Sequence, residues 1–458
     1  MTSDAIVANL PRPPSGRLAF PMLIARLIGN PIAAWGTDFY EEPLIVYRWM
    51  GIQTAFVMDP EAIQTVLLAD NGRYSKQPLY DDVLGDAIGG GLLSAEGDAW
   101  MWQRRLAAPL FRAEEMLGFT PAFAKACTPL LQCWKEAAPG AVQPIDADMA
   151  SATLHALQDT VLGANLADDE RERIDRHGST FLRESAWKLA LTTLHMPRGT
   201  PHPGFLRMRR AGRELRDVAA RVLASRRAEG REAQGTDLLS RLIAARYPAT
   251  GEAMPDALIV DNVVTFLMAG HETTAQALTW TLYLLALFPE WQERAREEIR
   301  DVAGDGPIEP AQVARLALLE TIFQEAMRLY PPAPILMRRA LTEVTLGDDV
   351  TLSPGSAVVI PIYAVHRHHL LWDEPLRFDP NRFSPEAKAE RHRCSYLPFS
   401  TGPRNCIGGS FAMVEGRVIL ATLLFRARFE LPEGKIPVPF ARVTLRPKNG
   451  LKLKVTML

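Results

Sequence analysis

The chain has 458 residues, of which 47% are hydrophobic and 23% are charged, a composition typical of a globular protein with a large core. The formal net charge of −2 argues against the strongly basic domain that nucleic-acid binding requires. The four cysteines, at positions 127, 133, 394 and 406, include no CxxC pair of the kind that binds zinc or carries redox chemistry, and they are too few for a disulfide scaffold. We therefore expect a cytoplasmic protein in a reducing compartment.

No linker-like segment or internal repeat divides the sequence. We expect a single domain over 1–458, with 1–40 as an N-terminal extension that leads into a strand-rich part. The apolar stretch 18–35 contains two prolines, an arginine and a glycine, whereas a membrane-spanning helix needs roughly 20 apolar residues. The sequence therefore predicts no integral membrane anchor.

In chain order, 44–58 predict two short strands around Gly51 because β-branched and aromatic residues alternate there. From Pro60 to about 335 the pattern is mainly helical. One long helix is expected over about 256–287 and another over about 313–330, and prolines bound both. Further strands are expected in 344–362, turning at Gly347-Asp348 and Pro354-Gly355. A late helix is expected just after Cys406, and a tail hairpin is expected to turn at Asn449-Gly450. The fold class is mainly α with a smaller β-rich part.

The segment from Phe399 to Gly409 carries the strongest chemical signal. Gly402 and Gly408 allow a tight turn and a close approach to a flat group. Cys406 precedes a predicted helix, whose free amides and dipole favour a thiolate. Phe399 is placed to shield the sulfur from water, and Arg404 is placed to pair with an anionic group.

Inside the long helix lies the sequence Ala269-Gly270-His271-Glu272-Thr273. The small residues Ala269 and Gly270 leave room beside the helix. Thr273 can bond back to the Ala269 carbonyl and loosen the local helix. Glu272 can pass protons. A packing glycine next to a solvated acid is the alternative interpretation of the same residues.

The first of these segments resembles the haem-ligating signature FxxGxRxCxG of the cytochromes P-450, and the second resembles their oxygen-activating (A/G)Gx(D/E)T pattern. The resemblance implies the cytochrome P-450 fold and one haem b with Cys406 as the axial metal ligand. Arg404 would bind a haem propionate. Glu272 would deliver protons and Thr273 would stabilise bound oxygen. Ala269, Gly270, Phe399, Gly402 and Gly408 would adjoin the cofactor.

Two further patterns match the same family, so that the resemblance spans about 40–455. Glu325 and Arg328 resemble its ExxR helix, and Arg382 resembles the partner arginine, which implies a structural ion network. Trp100 and Arg104 resemble its WxxxR helix and are expected to bind a propionate. Arg338 is expected to do the same, although its neighbour Arg339 is an alternative. Gln103 stands where many members have histidine.

The resemblance implies a monooxygenase that inserts one oxygen atom from O2 into an apolar organic substrate, acting as a monomer. Because the sequence contains no flavin or iron–sulfur domain, electrons would come from an external ferredoxin or flavodoxin and its reductase. The substrate pocket is expected to draw on residues 79–94, Met268, Pro334, Ile335, Leu336 and Val443.

Two alternatives remain open: a haem-thiolate peroxygenase or isomerase, and a haem sensor without turnover. Several arginines, namely Arg104, Arg105, Arg112, Arg391, Arg393 and Arg417, are interpreted as solvated or as a docking face for an acidic electron donor. The run from His366 to His369 is interpreted as a solvated loop, not a metal site. Cys127, Cys133 and Cys394 are interpreted as structural, the first two as small core residues.

Overall fold

The structure is a computed structural model. It describes residues 29–49, 51–68, 72–76, 79–163, 167–193, 200–228, 230, 235–347, 350–434 and 436–458, together with Pro14, Leu18, Met22 and Arg26. The chain divides into two compact units, each built from separated segments. The first comprises Met1–Tyr74, Phe123–Ala152 and Thr273–Leu458, and the second comprises Ser75–Ala122 and Thr153–Glu272. The single domain over 1–458 stays a prediction.

Helices dominate the structure, which confirms the mainly α fold class. In chain order they are α1 (Pro60–Leu68), α2 (Leu79–Ile88), α3 (Gly97–Ala107), α4 (Ala113–Leu117), α5 (Thr120–Ala126), α6 (Thr128–Glu136), α7 (Ile145–Leu157), α8 (Asp168–Thr193), α9 (Phe205–Ala228), α10 (Leu238–Ala244), α11 (Asp256–Leu287), α12 (Pro289–Ala303), α13 (Ala317–Leu329), α14 (Ile362–Val365), α15 (Pro385–Glu390) and α16 (Gly409–Arg426). None of the helices in the described ranges is both long and apolar enough to cross a lipid bilayer.

The strands are short and form small sheets. They are β1 (Leu44–Trp49), β2 (Ile52–Val57), β3 (Tyr74–Ser75), β4 (Ala141–Pro144), β5 (Leu336–Ala340), β6 (Val344–Leu346), β7 (Val350–Leu352), β8 (Ala357–Ile360), β9 (Ala427–Glu430), β10 (Pro439–Ala441), β11 (Leu445–Pro447) and β12 (Lys452–Met457). The largest sheet has the order β1-β2-β8-β5-β3, and a second has the order β4-β12-β9. β1 and β2 pair as an antiparallel hairpin around Gly51, as the sequence predicted.

The core of the first unit lies between its long helices. α12 and α13 both pack on α16. Trp280 of α11 stacks on Tyr330, with ring centroids 4.0 Å apart, and both side chains are fully buried. The N-terminal segment joins this core, because Trp35 is buried against Phe39 and Tyr363.

In the second unit, α8 and α9 pack on each other and on α2. Gly212 of α9 makes the close approach possible, since a Cβ there would lie only 2.8 Å from the Asp86 carbonyl oxygen. The long helix α11 has the predicted bounds: Pro255 precedes it, and the dipeptide Phe288-Pro289 ends it. The division between the two units falls within this helix, after Glu272.

Two predicted elements are wrong in detail. The helix expected over 313–330 is split: a 3-10 helix occupies Pro310–Arg315, and α13 begins only at Ala317. Leu316 leaves the helical region with ψ of 61°. The Glu298 carboxylate then accepts hydrogen bonds from the amides of Leu318 and Leu319, at 2.7 and 2.9 Å, and so caps the new helix N-terminus.

The predicted tail hairpin is also wrong. β11 pairs with β10 and β12 pairs with β4 and β9, so the strands on either side of Asn449-Gly450 belong to different sheets. β12 alternates exposed lysines with buried Leu453 and Val455, a pattern that suits a central strand covered on one face. The predicted turn at Gly347-Asp348 includes Asp348, which lies outside the described residues.

Candidate functional site

Backbone contacts within the loop before α16 hold Cys406 in place. The Cys406 amide donates to the Phe399 carbonyl at 2.9 Å, and the Asn405 amide donates to the Gly402 carbonyl at 3.1 Å. Gly402 has φ of +80°, and a Cβ there would collide with the Leu67 carbonyl at the end of α1. A glycine is therefore required at 402, both for its backbone conformation and for the close packing.

The sulfur of Cys406 lies beside the N-terminus of an 18-residue helix. Gly408 is the N-cap of α16, and a Cβ on it would stand 3.9 Å from the sulfur. The ring of Phe399 lies against the next residue, 3.5 Å from where a Gly409 Cβ would be. Cys406 itself is exposed. Free helix amides and the positive end of the dipole favour the thiolate, so this loop fits the donor chemistry that a thiolate-ligated iron needs.

The first unit also contains two of the arginines predicted to bind propionates, Arg404 and Arg338. Arg404 is half-buried within the cysteine loop. Arg338, on β5, is 7% exposed and its Nη1 donates to the Met337 carbonyl at 2.9 Å. Arg339 is half-buried on the same strand. That Arg338, with Arg339 as the alternative, binds a propionate stays a prediction.

α11 becomes accessible where the sequence predicted oxygen chemistry. Residues 259–267 are buried, whereas Ala269 is exposed and Met268, Glu272 and Thr273 are half-buried. A Cβ at Gly270 would lie 3.0 Å from the Leu157 side chain, so this glycine lets α7 pack on α11. The packing role therefore applies to Gly270, while Ala269 is the small residue that is exposed.

Helix α3 carries Trp100 and Arg104, four residues apart and both half-buried. Residues at this spacing lie on one helix face, as a two-donor contact to a propionate would require. Gln103, next to Arg104, is instead 2% exposed and uses its side-chain amide within the second unit, where it donates to the Gly90 carbonyl at 3.0 Å.

The structure brings Glu325, Arg328 and Arg382 together, all in the first unit. Arg328 donates to both Glu325 oxygens at 2.6 and 2.8 Å, and both side chains are fully buried. Arg328 also donates to the carbonyls of His366, Pro375 and Arg377. Arg382 is more distant, with its Nε 3.7 Å from Glu325. Burial, followed by the charge of Arg328, lowers the pKa of Arg382.

His366 is a buried residue that the sequence analysis placed wrongly. His366, Arg367 and His368 are at most 1% exposed, so the solvated-loop interpretation is wrong for these three residues, while His369 is exposed. The Leu397 amide donates to His366 Nε2 at 2.8 Å, which leaves the proton on Nδ1 to donate to the Arg328 carbonyl at 3.2 Å. Burial, with help from Arg328 and Arg367, holds the pKa of His366 well below its usual value. His366 thus joins the ExxR helix to the segment that leads into the cysteine loop.

The residues predicted to line a substrate pocket occupy different environments. Pro334 is buried, and its carbonyl accepts from the Tyr363 amide at 3.1 Å. Ile335, Leu336 and Val443 are half-buried. In the second unit, the Met268 sulfur lies 3.9 Å from the position of a Cβ on Gly178 of α8.

Two of the arginines interpreted as solvated or docking residues are internally bound. Arg417 is 12% exposed in its side chain and bonds Glu320 at 2.8 Å. Arg391 lies over the rings of Trp372 and Phe383. Arg112 and Arg105 are exposed, and Arg105 donates to the Tyr247 hydroxyl at 3.2 Å. Arg393 donates to Gln64 at 3.2 Å.

The remaining cysteines do not form a site in the described part of the chain. Cys127 and Cys394 are buried, as expected, but Cys133 is exposed and is not a core residue. Within the described ranges, no three His, Cys, Asp or Glu side chains come together to hold a metal ion.

The comparisons with known proteins point to one family. The family model for cytochrome P450 matches residues 29–455. The chain is 31% identical to cytochrome P450 4B1 of Rattus norvegicus, over 97% of this chain and 89% of that protein. It is 32% identical to a cytokinin hydroxylase of Arabidopsis thaliana, over 94% and 84% of the two chains.

The chain belongs to the cytochrome P450 family. Its relatives in that family are monooxygenases, and so is this P450. The solved haem domain of cytochrome P450DA has the same fold, with a TM-score of 0.85 over 98% of each chain at 24% identity. Membership implies a haem cofactor, and a thiolate at Cys406, beside the N-terminus of α16, has the donor chemistry that a haem iron needs.

Proposed function

We propose that this P450 binds haem b through Cys406 and inserts one oxygen atom from O2 into an apolar organic substrate. Electrons would come from an external ferredoxin or flavodoxin and its reductase, and the protein would act as a cytoplasmic monomer. One observation carries the proposal: Cys406 lies in a glycine-containing loop that ends at the N-terminus of the long helix α16.

When bound, a thiolate-ligated haem supplies the activation of O2, because electron donation from sulfur favours O–O cleavage. The residues of the protein bind and orient this group. Arg404 and Arg338, with Trp100 and Arg104 of α3, would hold the propionates through charge-assisted hydrogen bonds. Phe399 would keep water from the sulfur, while the free amides and dipole at the start of α16 would offset the cost of burying the thiolate charge.

Glu272 and Thr273 would handle protons. Both are half-buried and follow the exposed Ala269 on α11, so they can exchange protons with solvent while remaining on a rigid helix. Glu272 would hold a proton at its carboxyl group, and the Thr273 hydroxyl would pass it into the site. A positioned acid–base group of this kind contributes typically 10²–10⁴-fold to a rate.

The test has two stages and uses the haem-loaded protein. Apolar compounds are screened for a shift of the Soret band. A compound that binds is then incubated with NADPH, ferredoxin and reductase under isotopically labelled O2. The proposal predicts one labelled oxygen atom in the product. Turnover with peroxide alone would favour a peroxygenase, turnover without any electron source would favour an isomerase, and binding without turnover would favour a sensor.

The proton roles are tested with a matched pair of variants. Thr273→Val should lower O2-driven turnover by about 100-fold but leave peroxide-driven turnover nearly unchanged. Thr279→Val is the control, because Thr279 is fully buried on the same helix and its hydroxyl only bonds the Ala275 carbonyl at 2.7 Å. Equal effects of the two substitutions would contradict the role of Thr273.

A further inference from the structure

The second unit contains a polar network that the proposed chemistry does not use. It involves the glycine segment, defined here as residues 89–92, and two buried amide side chains, Gln103 of α3 and Asn262 of α11. Gln103 is 2% exposed and Asn262 is 1% exposed. Buried side-chain amides normally have hydrogen-bond partners. The partners of Gln103 and Asn262 show which parts of the backbone these two side chains hold in place.

Asn262 contacts three separate parts of the unit. Its Oδ1 accepts from the Leu92 amide at 2.9 Å. Its Nδ2 donates to Gln103 Oε1 at 2.8 Å and to the Leu258 carbonyl at 2.9 Å. The Leu92 amide can only donate, so this contact fixes the orientation of the Asn262 side chain.

Gln103 closes the network from the other side. Its Nε2 donates to the Gly90 carbonyl at 3.0 Å, while its Oε1 accepts from Asn262. The glycine segment is therefore held at two points, its Gly90 carbonyl and its Leu92 amide. Leucine at 262 would leave the buried Leu92 amide without its acceptor, and leucine at 103 would remove the donor to the Gly90 carbonyl.

An ion pair strengthens the same attachment. Asp261, which precedes Asn262 on α11, accepts from the Gly90 amide at 2.8 Å and forms an ion pair with Arg216 of α9. Arg216 also donates to the Ala87 carbonyl at 3.4 Å. Side chains from α3, α9 and α11 thus converge on one short stretch of backbone.

The glycines allow the segment to lie flat on α11. A Cβ at Gly91 would collide with the Thr265 hydroxyl, and a Cβ at Gly89 would collide with the Asp261 carboxylate. Thr265 is one helical turn, about 6 Å along the axis, before the exposed Ala269. The segment therefore borders the accessible stretch of α11 at which the proposed function places oxygen chemistry.

We propose that Gln103 and Asn262 are positioning residues that fix the glycine segment as a rigid wall of the substrate site. Gln103 adjoins Arg104, a proposed propionate ligand, so the network also ties the haem-binding helix α3 to this wall. A fixed wall selects substrates by size. This inference rests on the proposed function, because a substrate site beside Ala269 requires the haem.

Hydrogen–deuterium exchange tests the attachment without relying on activity. In Asn262→Leu and in Gln103→Leu, the amides of Gly90 and Leu92 should exchange about tenfold faster, since loss of roughly one buried hydrogen bond changes an opening equilibrium by that factor. Thr279→Val, on the same helix, should leave them unchanged. Unchanged exchange in both leucine variants would overturn the proposal.

Haem ligands of different size test whether the glycine segment limits the space in the substrate site. Imidazole and 4-phenylimidazole are titrated into the haem-loaded protein and followed at the Soret band. The leucine variants should change the Kd of 4-phenylimidazole about tenfold, while the Kd of imidazole, which is too small to reach the wall, stays the same. Equal changes for both ligands would show that the amides do not set the size limit.

A double-mutant cycle separates positioning from general loss of stability. Because both amides hold one segment, the double variant should exchange and bind much as each single variant does, whereas independent effects would add. Additive effects would overturn the proposal. The absorption spectrum of the reduced protein under carbon monoxide distinguishes the two claims. If the unmodified protein lacks the maximum typical of thiolate-bound haem, the proposed function is wrong. If that maximum is present but amide exchange is unaltered in the variants, only this inference is wrong.

Discussion

Glu415 is a buried acid on α16, nine residues after Cys406. Burial raises the pKa of its carboxyl group to about 8, and the nearby Thr274 hydroxyl lowers it only partly. Neither carboxyl oxygen has a hydrogen bond of normal geometry, so the contact with Thr274 is weak. The neutral acid is therefore the form that the folded protein accommodates.

This residue predicts a pH dependence of stability. The folded protein holds the Glu415 proton more tightly than the unfolded chain, so the contribution to stability is complete below the ordinary pKa of 4.5 and is lost as the pH rises towards 8. Across that window the free energy of unfolding should fall by about 1.4 kcal/mol per pH unit relative to Glu415→Gln. Denaturant unfolding at several pH values measures this difference. Glu430→Gln, at an exposed position, is the control, and identical slopes for the protein and Glu415→Gln would contradict the prediction.

Arg112 is exposed just before α4, and it is the arginine that we expect to contact the electron donor. Arg112→Glu should slow reduction by ferredoxin about tenfold at low salt, because steering by opposite charges acts mainly on the association rate. Peroxide-driven turnover should not change. Stopped-flow reduction measures the effect. Arg209→Glu makes the same charge change at an exposed site on α9, and an equal loss in both variants would contradict docking at Arg112.

For individual residues, the sequence predicted chemical character more successfully than it predicted which side chains are buried. The spacing around Cys406 was informative because a thiolate, a turn and a helix start each demand particular residue types. The burial of His366 and the hydrogen bond between Asn262 and Gln103 were not predictable, since both depend on partners more than 30 residues away along the chain.

Among the elements, the cysteine loop depends most on a single backbone position. Gly402 has a positive φ and is packed against the Leu67 carbonyl. Gly402→Ala should therefore destabilise the loop and speed haem loss. Gly355, whose φ is +88° but which has nothing within 4 Å of a Cβ, provides the control.

The two alanine variants separate backbone strain from packing. Gly355→Ala should cost only the strain of a left-handed residue, about 1–2 kcal/mol, with a haem-release rate like that of the unmodified protein. Gly402→Ala should lower the melting temperature further and release haem faster to an acceptor such as apomyoglobin. Equal release rates would mean that the close contact at 402 has no role in holding the loop.

Element boundaries followed from the sequence where local signals decide them. Prolines set the limits of α11, and Gly51 set the turn between β1 and β2. The start of α13 and the pairing of β12 were missed because Glu298 and the strands β4 and β9 decide them through tertiary contacts.

At the scale of the whole molecule, Arg328 links distant parts of the first unit. One fully buried guanidinium bonds Glu325 on α13 and three backbone carbonyls between 366 and 377. Removing it would leave Glu325 buried and without its main charge partner, which typically costs 3–5 kcal/mol.

Arg328→Met should therefore lower the free energy of unfolding by about that amount, and haem incorporation should fall with it. Arg377→Gln breaks an exposed ion pair with Glu374 and should leave stability nearly unchanged, because solvent screens such pairs. Chemical denaturation compares the two. A small effect of Arg328→Met would show that the network does not hold the first unit together.

The fold class and the position of the cysteine loop directly before a helix could both be predicted from the sequence, because they rest on composition, periodicity and a spaced motif. The division of contacts into two units could not, since it depends on which distant segments pack together.

The most direct test of the account is the absorption spectrum of the reduced, haem-loaded protein under carbon monoxide, compared with that of Cys406→Ser. Iron ligation by the Cys406 thiolate predicts a Soret maximum at the position typical of thiolate-bound haem in the unmodified protein and the loss of that maximum in the variant. A spectrum without that maximum, or one that persists after the sulfur is removed, would contradict the assignment of Cys406 as the iron ligand.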